Sequence, residues 1–241
     1  MSKIDDKALN KIIKETLGLE DNDEKVKTIA EAFVVQAQKY SINTDLLSEK
    51  AIEAHLRLLD GYVEVLNEIS AKLDSVDKSA ANSNDSNFRR LKIDETYNLN
   101  AAFLHAYYFD AIGDASSKIT MDSLTYMRLA RDFGTFDDWQ KDFIATALSA
   151  RSGWAVTVYN CYLNRYMNVV IDLHSTNVPM NCYPVIVLDM WEHAYWRDYL
   201  GDKQKYIFAM MKEFNWDIIE KRFKRGEKLS RIFTKPLGAE Q

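Results

Sequence analysis

The chain has only four histidines, His55, His105, His174 and His193. The last belongs to the run Asp189-Met-Trp-Glu-His193, which follows the apolar stretch Val185-Ile-Val-Leu188. Asp189 would end a strand, and His193, four residues on, would sit in the first turn of a helix. A strand end and a helix start can aim a carboxylate and an imidazole at one point, with Glu192 off that line. A carboxylate closing an apolar strand is costly to desolvate unless a positive group meets it, and that strand contains no Lys or Arg. A metal ion would meet the need. His55 and His105 fall on two long predicted helices that can face each other. Three imidazoles and one carboxylate suit iron, manganese or zinc. Tyr62, Tyr107, Tyr108, Phe109, Trp154, Trp191, Tyr195 and Trp196 would give such an ion a dry shell. Taken singly, each histidine on a buried face also reads as an ordinary hydrogen-bonded core residue.

The elements that must position these groups follow from periodicity. Ile52, Leu56, Leu59, Val63, Leu66 and Ile69 keep a three-to-four spacing, which predicts one helix over 48–73. The polar run from Asp74 to Asn87 reads as a loop. A second helix over 94–112 carries Leu99, Ala102, Phe103, Ala106 and Tyr107 on its apolar side. Two long helices and one loop make an antiparallel hairpin. Helix continues over 119–150, with a stop at Gly134 and a new start capped by Thr135. From Gly153 the period changes. Trp154–Tyr159, Tyr166–Ile171 and Pro184–Asp189 are short β-branched and aromatic runs. Helices return at Glu192–Tyr199, Lys203–Phe214 and Trp216–Phe223. The expected class is α+β, an N-terminal long-helix hairpin followed by a three-stranded antiparallel sheet surrounded by helices. Residues 1–46 carry Ile4, Leu9, Ile12 and Ile13 and then the run Val26–Val35. They read as a helical extension that packs on the body or on another subunit. The domain division is 1–46, 47–115 and 116–241.

Composition narrows the function classes. Across 241 residues, 36 acidic and 31 basic side chains leave a net charge of −5, which argues against a broad nucleic-acid surface. Two cysteines, Cys161 and Cys182, make neither a disulfide framework nor a zinc site by themselves. No apolar run approaches about 18 residues, so no membrane span is expected. The start, MSKIDDKALNKII, lacks the apolar core of a signal peptide. The expected location is the cytoplasm.

These residues also carry a family resemblance. Leu188-Asp-Met-Trp-Glu-His-Ala-Tyr195 resembles the D-x-W-E-H-A-Y signature of iron/manganese superoxide dismutases, which is highly specific. Ser48–His55 with Gly61-Tyr62-Val63 resembles the family's first ligand helix, and Asn100–Tyr108 its second. Phe133-Gly-Thr-Phe136, Ser152-Gly-Trp154 and Phe214-Asn-Trp216 are similar to its F-G-S-F, S-G-W and V-N-W segments. The match spans about 48–225 and leaves the first 46 residues outside.

The resemblance implies that His55, His105, Asp189 and His193 bind one iron or manganese, which dismutates superoxide to O₂ and H₂O₂. Tyr62 matches the gateway tyrosine, and Trp154 and Trp191 match aromatics of the metal pocket. Glu192 matches the residue that reaches a second subunit, so a homodimer or tetramer is implied. Most members hold the metal-bound solvent with a glutamine from one of two places, occupied here by Ala101 and Ala150. A branch of the family uses a histidine about fifteen residues before the ligand aspartate, and His174 stands there. The absent glutamine leans towards iron. The chain departs from the pattern where Tyr62 follows His55 by seven residues instead of eight, which still leaves both on one helix face. Leu58 replaces a second gateway histidine, Trp196 its usual partner tyrosine, and Phe109 a common tryptophan. The alternatives are a non-catalytic structural relative, or a metal oxidase of other chemistry on the same scaffold.

Overall fold

The computed structural model describes residues 32–114 and 116–233. Helix α1 (Glu49–Ser75) starts where Ser48 Oγ accepts the Ala51 N–H, and α2 (Asn87–Asp110) where Ser86 Oγ accepts that of Arg89. Each cap satisfies one free amide of a first turn. The two helices form the expected hairpin, burying Leu59, Val63 and Leu66 of α1 with Ala101, Ala102 and Leu104 of α2. Helix α2 begins seven residues before the expected 94. Its first two turns are mostly exposed, and Phe88 and Leu91 alone make too short a stripe to read as a helix. The Ser86 cap and the surface pairs Asn87–Arg90 and Lys92–Glu95 support them instead.

A helix was expected through residue 46, but residues 32–46 contain none. They lie along α1. Phe33 N–H donates to Ser70 Oγ at 2.6 Å, Val35 N–H donates to Asn67 Oδ1 at 2.7 Å, and Asn67 Nδ2 returns a bond to Val35 O at 2.9 Å. Side chains of α1 thus take the amides that a helix would turn on itself. Residues 1–31, with the Ile4–Ile13 run and most of the second run, lie outside the described residues.

Helix α3 (Leu124–Phe133) ends on Gly134, whose φ of +100° lies in the region that glycine tolerates, and α4 (Phe136–Ser149) starts on the Thr135 cap. Strands β1 (Gly153–Asn160), β2 (Arg165–Asp172) and β3 (Cys182–Asp189) form one antiparallel sheet in the order β2-β1-β3. Pro184 is tolerated because β3 is an edge strand, and it faces Val158 beside a register shift. Gly153 pairs with Asp172, and a Cβ on Gly153 would lie 2.0 Å from the Ile171 carbonyl oxygen. Trp154 pairs with Asp189 across β1 and β3. One end of the sheet therefore collects Trp154, Asp189 and, just past β2, His174.

Helices α5 (Glu192–Tyr199), α6 (Lys203–Glu213) and α7 (Trp216–Phe233) complete the chain. Helix α7 runs ten residues past the expected Phe223. A Cβ on Gly226 would lie only 3.3 Å from Tyr166 Oη and 3.5 Å from Tyr159 Cβ, so glycine lets the helix approach the sheet. Beyond it, Glu227 holds α7 to Arg128 of α3 with a bidentate pair at 2.7 and 2.9 Å. Trp139, Phe143 and Phe214 form a buried aromatic core with Trp216, and Trp139 Nε1–H donates to Thr157 Oγ1 on β1. Among the described residues no helix is long and apolar enough to cross a membrane.

Candidate metal centre

His55 from α1, His105 from α2, Asp189 from the end of β3 and His193 from the first turn of α5 meet at one point. One ligand-capable atom from each lies within 4.8 Å of all the others. Asp189 Oδ2 is 3.1 Å from His55 Nε2, 3.2 Å from His193 Nε2 and 3.5 Å from His105 Nε2. The other carboxylate oxygen accepts the Trp191 N–H at 2.8 Å, which orients the group. Asp189, His55 and His105 are buried, and His193 is half-buried.

The proton positions identify what is missing from this cluster. His105 Nδ1 lies 2.7 Å from the Ala101 carbonyl, which can only accept, so Nδ1 carries the proton. Its Nε2 lone pair then faces the Asp189 carboxylate and has no hydrogen-bond partner. Burial lowers the His105 pKa to about 3, against the pull of Asp189 and with help from His55. Burial also lowers that of His55, against its hydrogen bond to Asp189. For Asp189, burial opposes ionisation, but His193 and the bonds from His193 and His55 hold it below the usual carboxylate range. Both tendencies are met at once by a cation that is not a proton. Nitrogen and oxygen ligands about 2.1 Å from an ion, at 90–110°, stand about 3.0–3.4 Å apart. The separations from Asp189 Oδ2 to His55 and His193 fall in that range, that to His105 lies just beyond it at 3.5 Å, and all four atoms stay within 4.8 Å of one another, so the four residues can surround a single transition-metal ion.

Around the cluster, Trp154 meets His105 edge to face at 4.8 Å, and Trp191 stacks on His193 at 5.9 Å. Phe109 packs on His55 at 4.8 Å and Tyr108 at 5.4 Å. Tyr62 lies against His105 at 5.2 Å, and its phenol is pushed up to about 12, chiefly by burial and also by Tyr97 and Asp189.

His174 is buried beside the cluster and outside the ligand set. Trp154 Nε1–H can only donate, so His174 Nδ1 accepts it, at 3.0 Å. Burial lowers this imidazole to about 4, which leaves it neutral with its one proton on Nε2. That proton is donated to Tyr62 Oη at 3.1 Å. Both ring nitrogens are therefore engaged, and Tyr62 keeps its own O–H free to donate. Leu173 precedes this histidine with φ +54°, and its N–H is held by Ser152 O at 2.7 Å, so the chain turns back towards the cluster.

Glu192, Leu58 and Trp196 are exposed, Leu58 about one turn after His55 on α1 and Trp196 about one turn after His193 on α5. Sequence reasoning missed two contributors. The Ala101 carbonyl sets the His105 tautomer, and Tyr97 packs on His174 at 4.7 Å. The spacing of Tyr97, Ala101 and His105, four and four, marks one helix stripe and was readable. The contact with His174 crosses from α2 to the end of β2 and was not.

Comparison with known proteins gives the same direction. A family model for the C-terminal domain of iron/manganese superoxide dismutases matches residues 122–222. The chain is 33% identical to "Superoxide dismutase [Fe]" of Aquifex aeolicus, covering 77% of this chain and 88% of that protein. It is 30% identical to "Superoxide dismutase [Fe]" of Methanothermobacter thermautotrophicus, over 70% and 82%. It is 33% identical to "Superoxide dismutase [Mn] 1" of Halobacterium salinarum, over 55% and 66%. With the helical hairpin, the three-stranded sheet and the four converging side chains already in place, the chain belongs to the iron/manganese superoxide dismutase family.

Proposed function

We propose that this chain is a superoxide dismutase whose single iron or manganese is held by His55, His105, Asp189 and His193. The observation that carries the reading is the orphaned His105 Nε2 facing Asp189 Oδ2 at 3.5 Å inside a buried cluster, in a chain of this family. A metal alternating between the +3 and +2 states supplies the electron transfers that turn two superoxide ions and two protons into O₂ and H₂O₂. The side chains handle position and protons. Asp189 sets the charge that offsets the cation, and the aromatic walls exclude bulk water. The chain of donors from Trp154 to His174 to Tyr62 leaves the Tyr62 hydroxyl able to give a proton at the site. His174 acts on the site through that phenol. Steering of the anion has to be local, because the net charge is −5.

Iron is favoured over manganese, since Ala101 and Ala150 occupy the two glutamine places and neither side chain can donate, while His174 reaches the site through Tyr62. A homodimer is part of this reading. His193 keeps 23% of its side chain exposed in the single chain, and Trp196, one turn on, and Leu58 are exposed at 52% and 37%. A second copy covering this face, with Glu192 reaching His193 of the partner subunit, would finish the burial. Unpaired Cys161 and Cys182 suit the cytoplasm. The division at 46 and 115 separates the hairpin that offers His55, Tyr62 and His105 from the part that offers His174, Asp189 and His193. Metal analysis together with a superoxide assay tests the function. One iron or manganese per chain with dismutation supports it, bound metal without dismutation leaves the metal oxidase, and a chain with neither leaves the structural relative.

A further inference from the structure

We propose that Tyr97 is a positioning residue for His174, fixing the tilt of its imidazole. The inference rests on the dismutase reading only through the role given there to His174. Two hydrogen bonds hold this imidazole, from Trp154 to Nδ1 and from Nε2 to Tyr62. The Cβ–Cγ bond and these two hydrogen bonds place the ring, but hydrogen bonds are soft, and the rings packed on the imidazole limit how far it can librate within them. Trp191 stacks on the imidazole at 5.0 Å and 27°. Tyr97 meets it edge to face at 4.7 Å and 75°, the shortest ring contact that His174 makes. Edge-to-face pairs at such separations are favoured beyond their buried area. Tyr97 is half-buried and His174 fully buried, so Tyr97 is the outer of the two. Its hydroxyl has no hydrogen bond to a described residue, and burial alone raises its pKa. The working part is therefore the ring. Ala101, one turn along the same stripe, is too small to do this work.

The test uses the full-length, iron-loaded protein as Tyr97→Ala and Tyr97→Phe, reading metal per chain, superoxide turnover and the midpoint potential of the bound iron. Tyr97→Ala should keep its metal, lose about tenfold in turnover and shift the potential. Tyr97→Phe keeps the ring and should match the wild type in all three. A Tyr97→Ala protein with native turnover and native potential would overturn the proposal. So would a Tyr97→Phe protein as impaired as the alanine variant, because the hydroxyl would then be the working part. If Tyr97→Ala fails to fold, Tyr97→Gln, polar and without a ring, takes its place under the same expectations. A wild-type chain that takes up iron but does not dismutate superoxide would refute the proposed function, and the comparison of potentials would still decide the case of Tyr97.

Discussion

At His105 one proton determines what the cluster can bind. The bond from Nδ1–H to the Ala101 carbonyl leaves Nε2 as a bare lone pair, with a carboxylate oxygen of Asp189 3.5 Å from it. Removing the carboxylate should remove the metal. In Asp189→Ala the site loses a ligand and the charge that offsets the cation, and in His193→Ala it loses a ligand alone. Elemental analysis of either purified variant should give well under one ion per chain, and full occupancy would take that residue out of the ligand set. Tyr62 illustrates a different kind of dependence. Tyr62→Phe keeps the ring contacts to His105 and His174 but deletes the oxygen that accepts the His174 Nε2–H. A buried donor without a partner costs about 1–3 kcal/mol, so the midpoint of chemical denaturation should fall. Metal content should hold while turnover drops at high superoxide flux. A rate unchanged across pH and substrate concentration would exclude the proton role.

Elements were legible in the sequence to different depths, for identifiable reasons. The buried stripe of α1 and the apolar strand ending at Asp189 repeat at their own periods, so both were readable, and with them the placement of His55 and of the Asp189–His193 unit. The start of α2 was not, because Phe88 and Leu91 alone make too short a stripe to mark a helix. The end of α7 was not either: the helix continues past Phe223 over Gly226, whose place is set by the closeness of Tyr166 and Tyr159. Residues 32–46 fall in the expected helical extension, but Ser70 and Asn67 of α1 take the Phe33 and Val35 amides. The register that sets Trp154 opposite Asp189 is a product of long-range pairing that no local pattern encodes. Leu173 was equally invisible. Its φ of +54° is unfavourable for a leucine, and its side chain is exposed, so burial of the leucine does not explain the conformation. The turn that delivers His174 explains it. Asparagine tolerates this region far better. Leu173→Asn should therefore raise stability by roughly 0.5–1 kcal/mol with no loss of activity, read as a higher melting temperature. A lower melting temperature would mean that the leucine side chain contributes more than its backbone costs.

For the molecule as a whole, the cluster ties acid sensitivity to metal. His105 in the folded, metal-free protein has its pKa lowered to about 3, chiefly by burial, against an ordinary value near 6.5 in the unfolded chain. Between those values the unfolded chain binds a proton that the folded chain refuses. Stability then rises with pH across this window and is level above it. Acidification of the metal-free protein from pH 7 should leave it unchanged until about pH 6.5, then weaken it by up to about 1.4 kcal/mol per pH unit from this group alone. Bound metal occupies the same lone pair. Protons must then displace the ion as well as enter the core, which moves the loss of the fold to lower pH. The measurement is a pair of denaturation series between pH 4 and 8, with and without metal. Two curves with the same acid midpoint would show that the His105 lone pair is not where the ion binds. A metal-free curve shifted to higher pH than the loaded one is the expected outcome.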